Sequence, residues 1–308
     1  MIFAITSLPV DYSIDKPRYV SMFHNRYRWG VQDGYKDMGW MFYVTFCAII
    51  FKNKVFWFFL TTAAVYCFSY FVFANRYFEK KNIYFLIMTM GCLGFVNYAT
   101  NTIHAGFAIA ILILGLASKK KVLMIALLIG SIALHMSMII PVAGFVAAMI
   151  VSEKKWFYAF WTLCFVLAVV NVDMSPFMDL ISPIDNRVEY YSETMNRQFS
   201  SYKIGFRWDF LIYSVMPLFI STHLVRKHHI EDAFLSKITN MYVFANAVWL
   251  LAIRIAFTDR IAYLSWFLIP FITLYPVIKY QEKFNNPNLL VLGITGLFLG
   301  LNFVLMVV

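Results

Sequence analysis

The residues of this chain that could do chemistry are stranded between long hydrophobic runs. His104, His135, Arg254, Asp259 and Arg260 lie in or beside segments that otherwise read as lipid-solvated helix. A charged side chain at bilayer depth costs about 2.5–3.5 kcal/mol on insertion scales, so it persists where it faces a cavity, a partner or a ligand. Imidazole titrates near neutral pH and can take a proton from a hydroxyl. Guanidinium presents a planar fork that grips phosphate oxygens two at a time. A polytopic membrane protein holding such groups is a transporter, a channel or an enzyme acting on membrane-embedded substrates.

Three short stretches carry most of this potential. His135-Met136-Ser137 puts two polar groups into the apolar run 122–151; it suits a proton-transfer site, or a histidine satisfied by a neighbouring carbonyl. Phe206-Arg207-Trp208-Asp209-Phe210 stands at the entrance to a span, where Arg207 faces a polyanionic head group, pairs with Asp209, or anchors at the interface. Arg254, Asp259 and Arg260 put about one net positive charge at a membrane boundary, with Arg254 either pairing with Asp259 or snorkelling. No Walker loop, dinucleotide fingerprint or HExxH occurs. His104 and His135, on separate segments, do not establish a metal set, and neither metal nor cofactor is expected. His223, His228 and His229 adjoin Arg226 and Lys227 and read as a solvated loop.

These residues must be positioned by membrane helices. Of 308 residues, 61% are hydrophobic and 14% charged, against about 25% charged in a soluble domain. The net charge of +10 is dispersed in short clusters between apolar runs, so it forms no nucleic-acid footprint. Cys47, Cys67, Cys92 and Cys164 fall inside apolar stretches, without metal-ligand or disulfide-framework spacing. A spanning helix needs about 20 largely apolar residues. Candidate spans are 55–73, 83–98, 103–117, 156–172, 210–225, 241–257, 261–277 and 289–308, with 39–51 as a shorter, interfacial or partly inserted helix. The expected fold is an all-α polytopic helical bundle, a single transmembrane domain over 1–308 with about 9–11 membrane segments.

Charge bias sets the sidedness. Basic clusters at 76–81, 119–121, 153–155, 226–237 and 279–283 mark the cytoplasmic side. For 119–121 and 153–155 to share it, 122–151 must be a hairpin or re-entrant pair turning near His135, with Pro141 helping to break the second arm. The alternative is one long tilted helix. With the hairpin, a large loop at 173–207, balanced in charge, falls outside. The polar N-terminal region 11–38, the turn before His104, His135 and the turn at 258–260 fall outside with it. The apolar start, residues 1–10, is too short to span and too short for a signal peptide with its own charged flank, which leaves either a genuine short start or a missing upstream first helix.

Several stretches together resemble the bacterial O-antigen and exopolysaccharide polymerases of the Wzy/EpsG-like type. Asp11-Tyr12 resembles that family's first outer loop, and Gly39-Trp40 the turn into its next segment. Asn101-Thr-Ile-His104-Ala105-Gly106-Phe-Ala108 resembles its N-x-I-R-Q-G-x-A segment, with His104 in place of Arg and Ala105 in place of Gln. Leu134-His135-Met-Ser137 resembles its H-x-S motif. Phe206-Arg207-Trp-Asp209-Phe resembles the stretch after its large outer loop, and Asp259-Arg260-Ile-Ala-Tyr263 its late D-R-hydrophobic-A-Y element.

The resemblance implies a glycosyltransferase of the bacterial inner membrane that moves a growing glycan from its undecaprenyl pyrophosphate carrier to a lipid-linked repeat unit at the outer leaflet. It implies membrane lipids and a chain-length regulator protein as partners, and no nucleic acid. His135 is the expected general base, with Asp11 second. Arg207, Arg254 and Arg260 are the expected pyrophosphate clamp, with His104, Arg187, Asp259 and Tyr263 as further substrate-binding residues. The rival class is a flippase for the same lipid-linked oligosaccharide. A transporter of that kind commonly carries internal repeats with matched broken helices, which the sequence does not show.

Overall fold

The computed structural model describes residues 6–9, 13, 15–30, 37–78, 81–172, 205–255 and 257–307. Asp11, Arg187 and the loop 173–204 lie outside the described residues. Every regular element among the described residues is helical. A chain in lipid must satisfy its backbone groups internally, and continuous apolar sequence does so as helix. By contact the chain divides into two units: Met1–Leu86 with Phe95–Met138, and Ile87–Gly94 with Ile139–Val308.

The first unit holds α1 (Lys16–Trp29), α2 (Met38–Ile50), α3 (Val55–Phe78), the first half of α4 (Asn82–Gly91), α5 (Phe95–Thr100), α6 (Ile103–Ala117) and α7 (Lys121–Leu134). Helix α6 is its centre, packed by α3, α5 and α7. It is buried from Gly106 to Ala110, because its small residues let neighbours approach from several sides. An aromatic cluster of Phe23, Trp40, Phe58 and Phe107 joins α1, α2, α3 and α6. Phe42, Phe46 and Ile49 are exposed on α2, the apolar outer face of a helix against lipid.

The second unit holds the rest of α4, α8 (Ile139–Ile150), α9 (Lys154–Val170), α10 (Trp208–Lys227), α11 (Ala233–Leu251), α12 (Asp259–Trp266), α13 (Ile269–Lys279) and α14 (Pro287–Val307). Here α11 is the centre, packed by α8, α9, α12 and α13. Among the described residues, four stretches are long and apolar enough to cross a membrane: Val55–Phe78, Trp208–Lys227, Asp259–Lys279 and Pro287–Leu305. The Asp259–Lys279 span is 94% buried in protein and the Pro287–Leu305 span 22%, so the former is an inner strut and the latter an outer one.

The run 122–151 is not one long helix. His135 is extended (φ −151°, ψ 114°) and ends α7; a 3-10 turn, Met136–Met138, then leads into α8. Pro141 sits in the first turn of α8, where its missing N–H costs nothing. Three expected single spans are also interrupted. The span 83–98 breaks at residues 92–94, where Gly94 has φ +93° and the Leu93 N–H donates to the Tyr213 hydroxyl at 3.0 Å. The span 241–257 stops at Leu251, because Thr258 folds back to donate to the Ala252 carbonyl at 2.7 Å. The span 261–277 is two helices, parted at Phe267–Leu268 ahead of Pro270, which has no N–H with which to continue the helical ladder.

Candidate functional site

In the first unit three elements bring polar groups together. Asp37 precedes α2, His104 lies in the first turn of α6, and His135 is the break after α7. One donor atom from each lies within 4.8 Å of the others. The two imidazole rings are 4.6 Å apart. His104 Nε2 is 3.5 Å from Asp37 Oδ2 and bonds the Leu134 carbonyl. Its ring stacks on Trp40 at 4.6 Å and 20°.

Close backbone approach makes this convergence possible. A Cβ on Gly39 would stand 2.7 Å from the Ala133 carbonyl oxygen, and one on Gly106 would overlap the Tyr98 carbonyl oxygen. Both positions therefore exclude a side chain. Asn101 fixes the entry to α6 by accepting the Asp15 N–H at 3.1 Å.

Asp37 Oδ1 accepts the Met136 N–H at 2.9 Å and so holds the turn that presents His135 and Ser137. His135 is 4% exposed and Ser137 7%. The Ser137 Oγ lies 2.6 Å from His135 Nδ1, and the Ser137 N–H donates to the same nitrogen at 3.3 Å. A nitrogen that accepts a backbone N–H carries a lone pair, which assigns the ring proton of neutral His135 to Nε2. The Ser137 hydroxyl then donates to Nδ1, a pair arranged to pass a proton from an oxygen to an imidazole.

Asp37, His104 and His135 also form a carboxylate and two-imidazole set able to hold a divalent cation. The sequence left Asp37 at the end of a polar stretch. Its available signal was position, an acid directly before an apolar helix.

The second unit gathers arginines. Arg207 grips Asp209, Nε to Oδ1 at 2.9 Å and the terminal nitrogen to Oδ2 at 2.6 Å. Its guanidinium lies 3.5 Å from the centre of the Phe210 ring. Of the readings open for Arg207, the ion pair with Asp209 is therefore present. Arg254 does not pair with Asp259; its Nε donates to the Ala168 carbonyl at 3.2 Å. That carbonyl lies in the last turn of α9, where helices leave acceptors unsatisfied. The Arg254 carbonyl accepts the Gly205 N–H at 3.3 Å, and its guanidinium lies 5.1 Å from the Phe206 ring. Arg254 thus joins the end of α9 to the start of α10 and comes next to the Arg207 segment.

Arg260 sits in the first turn of α12, its guanidinium 5.1 Å from the Phe257 ring. Phe257 has φ +56°, a left-handed backbone that costs a bulky residue of order 1–3 kcal/mol and persists where its surroundings over-determine it. Thr258 supplies the constraint. Its buried hydroxyl accepts the Trp249 indole N–H at 2.9 Å and donates to Ala252. Asp259 begins α12, where an acid complements the helix dipole. Tyr263 is 8% exposed and packs on Gly94, whose added Cβ would meet the ring at 2.9 Å. Tyr263 thus packs at the break in the span 83–98, and Thr258 and Trp249 are positioning residues that periodicity could not reveal.

The EpsG family model matches residues 1–308. No curated protein and no solved structure matches the chain.

Proposed function

The chain belongs to the EpsG family, and on that footing we propose that it polymerises O-antigen or exopolysaccharide repeat units at the outer leaflet of a bacterial inner membrane. Family membership points to polysaccharide polymerisation and to a lipid-linked oligosaccharide substrate. The finer reading is a glycosyl transfer. The acceptor hydroxyl of a lipid-linked repeat unit attacks the anomeric carbon of the growing glycan. The bond from that carbon to the pyrophosphate breaks, and undecaprenyl pyrophosphate leaves with the electron pair.

The observation that carries this reading is the Ser137–His135 contact at 2.6 Å, steadied by Asp37 on the Met136 N–H. Ser137 relays the acceptor's proton to His135 Nδ1, and the imidazolium then gives it up to the departing pyrophosphate or to solvent. Arg207, Arg254 and Arg260, with Arg187 as a further sequence candidate, supply cations to the departing pyrophosphate, and Asp11 is the second candidate for the base. The H-x-S break turns at the outer face, so that residues 120 and 154 share the cytoplasmic side. A chain-length regulator acts as partner.

The test is incubation of purified protein with lipid-linked repeat units alone, with products separated by size. A ladder of glycans differing by one repeat unit supports polymerisation. Movement of intact repeat units across a vesicle bilayer without a ladder supports the flippase instead. A second reading rests on the carboxylate and two-imidazole set, a divalent-cation centre that activates the acceptor oxygen. Turnover abolished by chelator and restored by one metal would select it over the proton relay.

A further inference from the structure

Far along α10 from the arginines, the second unit carries a groove of about 740 Å³. Its walls are apolar: Phe219, Leu224, Leu290, Ile294 and Leu297. Gly293 lines it too, and a Cβ there would meet nothing within 4 Å. The helices therefore leave real space between them. Phe284 is buried at 9% exposure, its ring centre 4.1 Å from that of His228.

Basic side chains border the groove, and they divide into two kinds. Lys283, beside it, is used by the fold, donating to the carbonyls of His228 and His229 at 3.1 and 2.9 Å. Lys279 is likewise committed to Asp232. His223 and Lys227 line the groove, are exposed, and make no ion pair among the described residues. The acids of the same stretches, Glu231 and Glu282, are not among the lining residues. An apolar slot with uncompensated positive charge at its rim fits a ligand with an anionic head and a hydrocarbon tail.

We propose that this groove binds one anionic phospholipid of the leaflet that faces the basic loops. Its phosphodiester rests at Lys227 and His223, and one acyl chain runs along Phe219, Ile294 and Leu297. The substrate's pyrophosphate is a poor occupant on position alone. Helix α10 has 20 residues between the Arg207 end and the Lys227 end, about 30 Å at 1.5 Å per residue, the thickness of the hydrocarbon core.

The test is native mass spectrometry of the delipidated full-length protein, titrated with phosphatidylglycerol and, separately, with phosphatidylcholine. The expected result is one tightly held phosphatidylglycerol. Lys227→Gln should weaken it about fivefold, the worth of one cation against an anionic lipid. Gly293→Leu, which fills the slot, should remove it, while Arg207→Ala leaves it in place. Equal binding of the two lipids by wild type, or unchanged binding in both Lys227→Gln and Gly293→Leu, would overturn the proposal. So would displacement of the bound lipid by stoichiometric polyprenyl pyrophosphate, which would make the groove a substrate site. Activity is not the readout, so the polymerase reading and this one fail separately.

Discussion

In the first unit the polar side chains lean on one another across three elements. In the second the arginines are held one by one, Arg207 within its own stretch by Asp209 and Arg254 across the fold by the Ala168 carbonyl. Asp37, His104, His135 and Ser137 share hydrogen bonds and stacked rings, and two glycines bring their backbones close. Arg207 is held by Asp209 and Phe210, Arg254 by Ala168 and Phe206, and Arg260 lies against Phe257. The difference follows from the chemistry each group can perform. A proton relay fails if one partner moves by an ångström, so its members must be fixed by tertiary contacts. A guanidinium is always charged and carries five donors, so it keeps donors for a ligand while one or two anchor it. On the proposed reading, proton handling falls to the first unit and anion binding to the second.

That contrast breaks most decisively at His135. His135→Gln should lower polymer turnover by about 10²–10⁴-fold with substrate binding kept, since Gln bonds Ser137 but takes no proton. Near-normal ladders from the Gln variant, at equal protein level, would make His135 a purely structural group and empty the first unit of chemistry.

The arginines come next. Arg207→Ala and Arg260→Ala should each cost about 10²–10³-fold, the scale for losing one transition-state donor. Lys should rescue only partly, since it keeps charge and loses the fork. Full activity in Arg260→Ala would remove it from the clamp.

Gly106→Ala probes the first unit's close approach. The added methyl overlaps the Tyr98 carbonyl oxygen, and overpacking of this kind costs about 1–3 kcal/mol. Thermal unfolding in detergent should show a lower midpoint, with turnover falling alongside as His104 shifts. An unchanged midpoint would mean that α5 yields at little cost.

The smallest effect on activity belongs to Asp232, which caps α11 through the Leu235 N–H at 2.8 Å and accepts from Lys279 at 2.8 Å and Tyr280 at 2.9 Å. Burial alone would raise its carboxyl, but the bonds from Lys279, Leu235 and Tyr280 outweigh that and hold it below the usual carboxylate range. A depressed carboxylate stabilises the fold above its unfolded value of about 3.9, and the contribution is lost as pH falls through the lower folded value. Melting measured from pH 7 downward should therefore show this contribution intact to about pH 4. Asp232→Asn should lose about 1–3 kcal/mol at neutral pH and leave turnover close to wild type. A large loss of turnover would tie this lock to the arginine end.

The membrane class was legible without coordinates, because apolar runs near 20 residues admit little besides helix in lipid. The break at His135 was legible too, since a polar His-x-Ser inside an apolar run needs backbone that can turn. The arginines were visible because uncompensated charge beside apolar sequence stands out at any window length. The interruptions after Gly91 and after Leu251 were not, for there side chains replace the helix's own bonds: the distant Tyr213 hydroxyl in one case, and in the other Thr258, which folds back on Trp249 and Ala252.

Sequence by itself determined an all-helical membrane protein with a candidate base and a set of candidate cations. Tertiary structure decided that Asp37 joins the base and that Arg207 spends part of its charge on Asp209. It also decided that Phe257, just ahead of Arg260, is held in a left-handed backbone. The reason is physical: hydropathy and charge are properties of each residue, whereas a hydrogen-bond partner 99 residues away, as Met136 is from Asp37, exists only once helices have packed.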